Sequence, residues 1–193
     1  KWNSNYARGC RHGFLWQGST NSLCNNAQAI GCRISSFEAH GHNEIGLTLS
    51  NYKAVNTHLV TGDSAGHTAV KLLGGQNIFV ANGVIVGFNR NTADTALYIE
   101  PPASNVQVTS LTIDRCYTGV TFRENPGSPA TTAVDVVLSN MKISNCTSAF
   151  DLSCDGSGAT TPIFDQVFIT GCVLNNNVEN VLAKACTIRF QGN

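Results

Sequence analysis

Charge is what this sequence has least of: twelve basic and twelve acidic residues cancel across 193, and only 12% of the chain is charged. A neutral surface gives no electrostatic footing on nucleic-acid phosphates or on an anionic membrane, so neither is expected as a partner. No stretch approaches the eighteen apolar residues of a membrane span, which sets membrane insertion aside. The N-terminus, KWNSNYARGC, lacks both the apolar core of a signal peptide and an initiating Met, so the chain reads as a fragment of something longer. A 3.6-residue apolar period over ten or more residues is missing as well, which argues against helical repeats. No Cys-x-x-Cys pair or His-rich spacing suggests zinc, and no metal or other cofactor is expected.

What is present is a repeat. The phrases NGVIVGF (82–88), SLTIDRC (110–116), NMKISNC (140–146) and QVFITGC (166–172) place Ile85, Ile113, Ile143 and Ile169 fourth, and Phe88, Cys116, Cys146 and Cys172 seventh, at steps of 28, 30 and 26 residues. The register extends backwards to AVNTHLV (54–60), GCRISSF (31–37) and, weakly, SNYARGC (4–10). Downstream of each phrase stand a small or polar residue and an apolar triplet: Gly13-FLW, Gly46-LTL, Ala69-VKL, Ala96-LYI, Gly119-VTF, Ala149-FDL and Asn180-VLA. Two alternating strand phrases per period make a unit that cannot bury its own apolar face and must stack on copies of itself. With β-branched and aromatic residues in the phrases and Gly, Asn, Pro, Ser and Thr between them, the expected fold is all-β: a single-stranded right-handed parallel β-helix, or solenoid, of about seven coils in one domain, 1–193.

That register predicts an inward stack of Ile34, Ile85, Ile113, Ile143 and Ile169, beside a second of Phe37, Val60, Phe88, Cys116, Cys146 and Cys172. A slot shared by Phe, Val and Cys wants a compact hydrophobe, so the three ladder cysteines are expected to be free thiols. Stacked strands lie about 4.8 Å apart, while a disulfide needs Cβ atoms nearer about 3.8 Å. Cys24, Cys32, Cys154 and Cys186 are less constrained. Residues 18–28 and the FEAHGHNE run at 37–44 read as solvated loops. Trp2, Tyr6 and Trp16 read as an aromatic cap on the first coils.

The middle residue of each triplet should point outward, which sets Lys71, Tyr98, Thr121 and Asp151 in one column. The connections that follow, at 73–76, 100–104, 123–132 and 153–162, bring Glu100, Arg123, Glu124 and Asp155 to the same edge. Such a mixture suits an extended carbohydrate: an aromatic face with a polar tip, charge-assisted hydrogen bonds, and the two carboxylates that hydrolysis needs. The candidate binding residues are therefore Lys71, Tyr98, Glu100 and Arg123, and the candidate catalytic residues are Glu124, Asp151 and Asp155. Ordinary solvated strand positions are the other reading of the same column. Val84, Val86 and Phe168 form an expected apolar outward strip, which suggests a homo-oligomer.

Recurrent coils, isoleucine and Phe/Cys ladders, Asn- and Gly-rich corners and loops on one edge resemble the right-handed parallel β-helices of bacteriophage tailspikes and the pectin-lyase-like family. The resemblance covers roughly residues 4–190 and concerns the fold pattern. It implies a homotrimeric spike on the virion surface, in the extracellular setting, that recognises and in some members depolymerises host cell-surface polysaccharide. The polygalacturonase-type motifs are met only in part, by Gly41-His42-Asn43 and Arg33-Ile34-Ser35, so no catalytic residue is carried over from them. A non-enzymatic structural segment of a capsid spike or fibre is the alternative. An ice-binding solenoid would need a flat Thr column, and Thr48 and Thr121 look isolated.

Overall fold

The computed structural model describes residues 2–56, 66–123, 133–152, 164–183 and 188–191. The described residues form a parallel β-solenoid with three faces, and every pairing between neighbouring strands is parallel. The first face carries Tyr6–Arg8, Gln28–Ile30, the end of Thr48–Val55, the end of Thr68–Val86, then Thr112–Asp114, Lys142–Ser144 and Val173–Asn175. On the second are His12–Gln17, Ser35–Ile45, the starts of Thr68–Val86 and Thr95–Thr109, then Thr118–Phe122, Ser148–Leu152 and Glu179–Ala183. Strands of the third face include Leu23–Asn25, the end of Thr95–Thr109, Ala133–Ser139, Phe164–Thr170 and Ile188–Gln191.

One inward column per face builds the core. On the first face it runs Ala7, Ala29, Ala54, Ile85, Ile113, Ile143, Leu174. The second stacks Phe14, Phe37, Val70, Leu97, Val120, Phe150 and Val181. Along the third lie Cys24, Leu49, Val80, Val108, Leu138 and Ile169. Where the first face supplies only alanine, aromatics fill the interior: Phe14 and Phe37 stack at 5.1 Å, and Tyr52 meets Phe37 edge-on at 5.1 Å. Tyr52 in turn requires Gly83, because a Cβ there would lie 2.2 Å from its ring.

Corners are made by single left-handed residues. Ser4, Asn26, Asn51, Asn82, Ser110, Asn140 and Gly171 stand at equivalent places between the third and first faces, with φ between 51° and 61°. Asn tolerates this region because its short polar side chain bonds locally, and Ser4, Asn26, Ser110 and Asn140 each pass their N–H to the rung beside them, Asn140 to the Thr170 carbonyl at 3.0 Å. A corner of one residue keeps the coil short and the columns aligned.

The expected all-β parallel solenoid is therefore observed, and Ile113 pairs directly with Ile143. The register differs at several points. Ile169 belongs to the third face, opposite Leu138, and Leu174 takes the place expected for it. Ile34 lies before its strand and outside the stack. Phe37 stacks on Phe14, so the ladder beside the isoleucines runs through Cys10, Cys32, Phe88, Cys116 and Cys146, following the corner bonds of 9, 31, 87, 115 and 145. Cys172 sits over Met141 instead. The slips at Ile169 and Cys172 share a cause: the third and first faces carry similar apolar phrases a few residues apart, and a hydrophobic match alone does not separate them. Cys10, Cys24, Cys32, Cys116, Cys146 and Cys172 form no disulfide; Val60, Cys154 and Cys186 lie outside the described residues.

Four expected loops lie in strands or contain them. Residues 18–28 contain Leu23–Asn25 and Gln28–Ile30, and 37–44 lie inside Ser35–Ile45. The connections at 73–76 and 100–104 are bends within Thr68–Val86 and Thr95–Thr109, the second holding a cis Pro101-Pro102 bond. Trp16 is buried in the core, whereas Tyr6 is exposed. The apolar outward residues divide between faces: Val84 and Val86 on the first, Phe168 on the third beside Val137.

Candidate functional site

Two outward columns run side by side along the second face. One is Leu15, Glu38, Lys71, Tyr98, Thr121, Asp151. Three residues earlier in each strand lies the other: His12, Ser35, Thr68, Thr95, Thr118, Ser148, Glu179. Over the central rungs they form a groove of about 210 Å³ lined by Lys71, Tyr98, Thr121, Arg123 and Asp151, with Thr68, Thr95 and Thr118 beneath and Gly66, Thr92 and Ala93 at the wall. The three threonines are only 5–8% exposed, so they make a recessed hydroxyl floor and not a flat plane. Thr95 and Thr121 share a hydrogen bond of 3.3 Å across it.

Of the residues expected from sequence, the groove gathers Lys71, Tyr98, Arg123 and Asp151. Glu100 does not line it. It is 3% exposed and accepts the Tyr98 hydroxyl at 3.1 Å, while its other oxygen is buried without a partner. Burial, and then the adjacent Glu100 charge, hold the Tyr98 phenol above its ordinary range, with Arg123 pulling the other way. Tyr98 therefore stays a donor committed to Glu100, and the Lys71 ammonium lies 5.9 Å over its ring. A ligand meets Tyr98 with one polar contact already made and its ring beneath a cation. Glu124 and Asp155 lie outside the described residues.

Towards the N-terminal rungs the same column closes. Glu38 is 2% exposed and takes three hydrogen bonds: Ser35 Oγ at 2.6 Å and His12 Nδ1 at 2.9 Å on one oxygen, His40 Nδ1 at 2.7 Å on the other. Burial pushes Glu38 up, but Ser35, His40, Lys71 and His12 outweigh it and hold the carboxyl below its usual value. An ionised carboxylate only accepts, so both imidazoles must carry their proton on Nδ1. Among the described residues, no group of three or more His, Cys, Asp or Glu side chains is placed to hold a metal ion.

No family model matches the sequence, and no curated protein matches it either. Among solved structures, the catalytic domain of a GH87 alpha-1,3-glucanase in complex with nigerose superposes with a TM-score of 0.50 at 9% identity. An aspartate-to-alanine variant of that domain, also with nigerose, gives the same figures. The likeness is one of fold. It covers 96% of this chain and 49% of the glucanase domain, so the chain spans about half the length of the structures it matches.

Sequence reading missed the hydroxyl floor, yet its signal is there. Between the end rungs, five outward triplet centres have Ser or Thr three places before them: Ser35 before Glu38, Thr68 before Lys71, Thr95 before Tyr98, Thr118 before Thr121, Ser148 before Asp151. The wall residues Gly66, Thr92 and Ala93 had no comparable mark, because they sit outside the repeated phrases.

Proposed function

We propose that the second face of this solenoid is a carbohydrate-recognition surface and that the glycan lies in the groove over Lys71, Tyr98, Thr121 and Asp151. The observation that carries this reading is the groove itself. Four rungs contribute a cation, a phenol, hydroxyls and a carboxylate to one recess floored by threonines. Hydroxyl-rich ligands need donors and acceptors of that density, and Arg123 adds a rigid fork for a hydroxyl or an acidic substituent. That glucanase domains sharing the fold hold nigerose adds support.

Asp151 is the one carboxylate among the described lining residues, and glycoside hydrolysis takes two. Within this proposal Glu124 and Asp155 supply the partner. The wider setting, a homotrimeric spike on the virion surface that attaches to host polysaccharide, rests on the sequence resemblance. A cyclic trimer joins two different patches of each protomer, so Val84 and Val86 on the first face would meet Phe168 on the third. Sedimentation at micromolar concentration tests it, and a stable monomer removes it.

The deciding experiment titrates the chain with host polysaccharides and with α-1,3-glucan oligosaccharides, following heat of binding and release of reducing ends. Binding that Arg123→Ala weakens at least tenfold supports the site. Reducing ends lost in Glu124→Gln or Asp155→Asn, with binding retained, make it a depolymerase. A fully folded chain that binds none of the panel leaves the structural-segment reading.

A further inference from the structure

Asp94 is a carboxylate with no measurable exposure in a chain of zero net charge, and neither the fold nor the groove chemistry has used it. Burying such a group is costly unless every lone pair is satisfied. Its bonds all go to two short segments. One oxygen accepts the His67 backbone N–H at 2.9 Å and lies 3.1 Å from His67 Nδ1; the other accepts the backbone N–H groups of Arg90 at 2.6 Å and Asn91 at 3.3 Å. The Asp94 carbonyl also takes the Thr118 N–H at 3.1 Å, and the His67 carbonyl takes that of Thr95 at 2.9 Å. One side chain thus ties the turn at 90–93 to residues 66–68, and the backbone beside it ties both to the neighbouring rungs.

These two segments make the groove. Gly66 and Thr68 flank His67, Thr92 and Ala93 precede Asp94, and Thr95 follows it; all five line the recess. The two sides approach so closely that a Cβ on Gly66 would lie 2.2 Å from the Ala93 carbonyl oxygen. Because the carboxylate accepts, His67 holds its proton on Nδ1 and its ring orientation is fixed.

We propose that Asp94 and His67 are the positioning pair of the groove: their bond sets the wall at Gly66, Thr92 and Ala93, and so the width available to a glycan over Thr95 and Tyr98. This rests on the groove being a recognition site. Neither residue touches the ligand. They act by holding the backbone that does, which spares the glycan the cost of ordering it.

The test compares the full chain with His67→Leu, which removes the side-chain donor, and His67→Asn, whose amide replaces the Nδ1–H. Two readouts are taken. Without ligand, His67→Leu should speed amide exchange at Arg90 and Asn91 at least tenfold and shift the Thr68 and Thr95 methyl resonances, and His67→Asn should restore both. With an α-1,3-linked gluco-oligosaccharide and an oligogalacturonate as probes, His67→Leu should weaken binding at least tenfold and His67→Asn should recover it to within threefold. Exchange and shifts unchanged in His67→Leu overturn the clamp. A turn that opens while affinity stays equal overturns its role in recognition. If the wild type binds neither probe but the turn opens as stated, the recognition reading fails for these glycans and the wall itself stands.

Discussion

The outward column of the second face has two characters, and the contrast between its ends shows what turns a strand position into a site. At Glu38 its own strand supplies Ser35 and His40 and the neighbouring rung supplies His12, so the carboxylate is satisfied and sealed. From Lys71 on the next rung to Asp151 three rungs further, the flanking column holds short threonines that leave the side chains room, and a recess opens. Slot and face are the same. The difference lies in whether adjacent coils bring groups long enough to reach across one rung spacing of about 4.8 Å.

The coarsest way to break this comparison is to invert the alternation beneath it. Ile113→Asp places an unpaired charge in the lumen, at a cost of several kcal/mol against a typical stability of roughly 5–15 kcal/mol. We expect no folded protein by circular dichroism, whereas Thr112→Asp on the exposed neighbour should fold. A smaller effect is expected from Glu38→Ala, which strips three hydrogen bonds from the closed end. Urea denaturation should show a loss of about 2–3 kcal/mol, with glycan affinity unchanged; a loss of affinity equal to that of the groove variants would mean the two ends are one site.

Acid sharpens the same point. The Glu38 carboxyl is held below its unfolded value, so its stabilisation is complete above the unfolded pKa of about 4.3 and fades as pH falls through the folded one. The stability gap between wild type and Glu38→Gln, measured by denaturation from pH 7 to pH 3, should therefore shrink towards the acid end; a gap independent of pH would show that Glu38 is not held as the anion. The smallest effect on stability belongs to the open end. Arg123→Ala and Asp151→Asn should each shift unfolding by about 0.5 kcal/mol or less, as surface changes do, while calorimetry shows weaker glycan binding.

How far the sequence carried this picture follows from the same geometry. Alternation is a local property, so Lys71, Tyr98, Thr121 and Asp151 could be set in one column from their triplets alone, and the structure pairs them. The isoleucine stack was readable where corner and ladder residues agreed, at Ile85, Ile113 and Ile143. It failed at Ile169 and at the second coil, where the true triplet is Phe37-Glu38-Ala39 and not Leu47-Thr48-Leu49. There the third face imitates the others in hydrophobicity, and only the hydrogen-bond partners of the left-handed corners decide. The burial of Glu38 and Asp94 was hidden for a different reason: a carboxylate reads as solvated until His12, 26 positions from Glu38, and His67, 27 from Asp94, are brought to it.

The ladder of unpaired thiols has a use beyond packing. Cys10 is exposed, while Cys24, Cys32, Cys116 and Cys146 are buried in successive parts of the stack. Burial pushes the Cys24 and Cys32 thiols up to about 11, which leaves them protonated and inert to alkylating reagents at neutral pH. Cys24, Cys32 and Cys116, whose thiols are all held above the ordinary value, become reactive only when their own stretch of the solenoid opens. Timed alkylation read by peptide mass would then give the order in which the coils let go, and show whether the chain frays from its N-terminal rungs or parts at the groove.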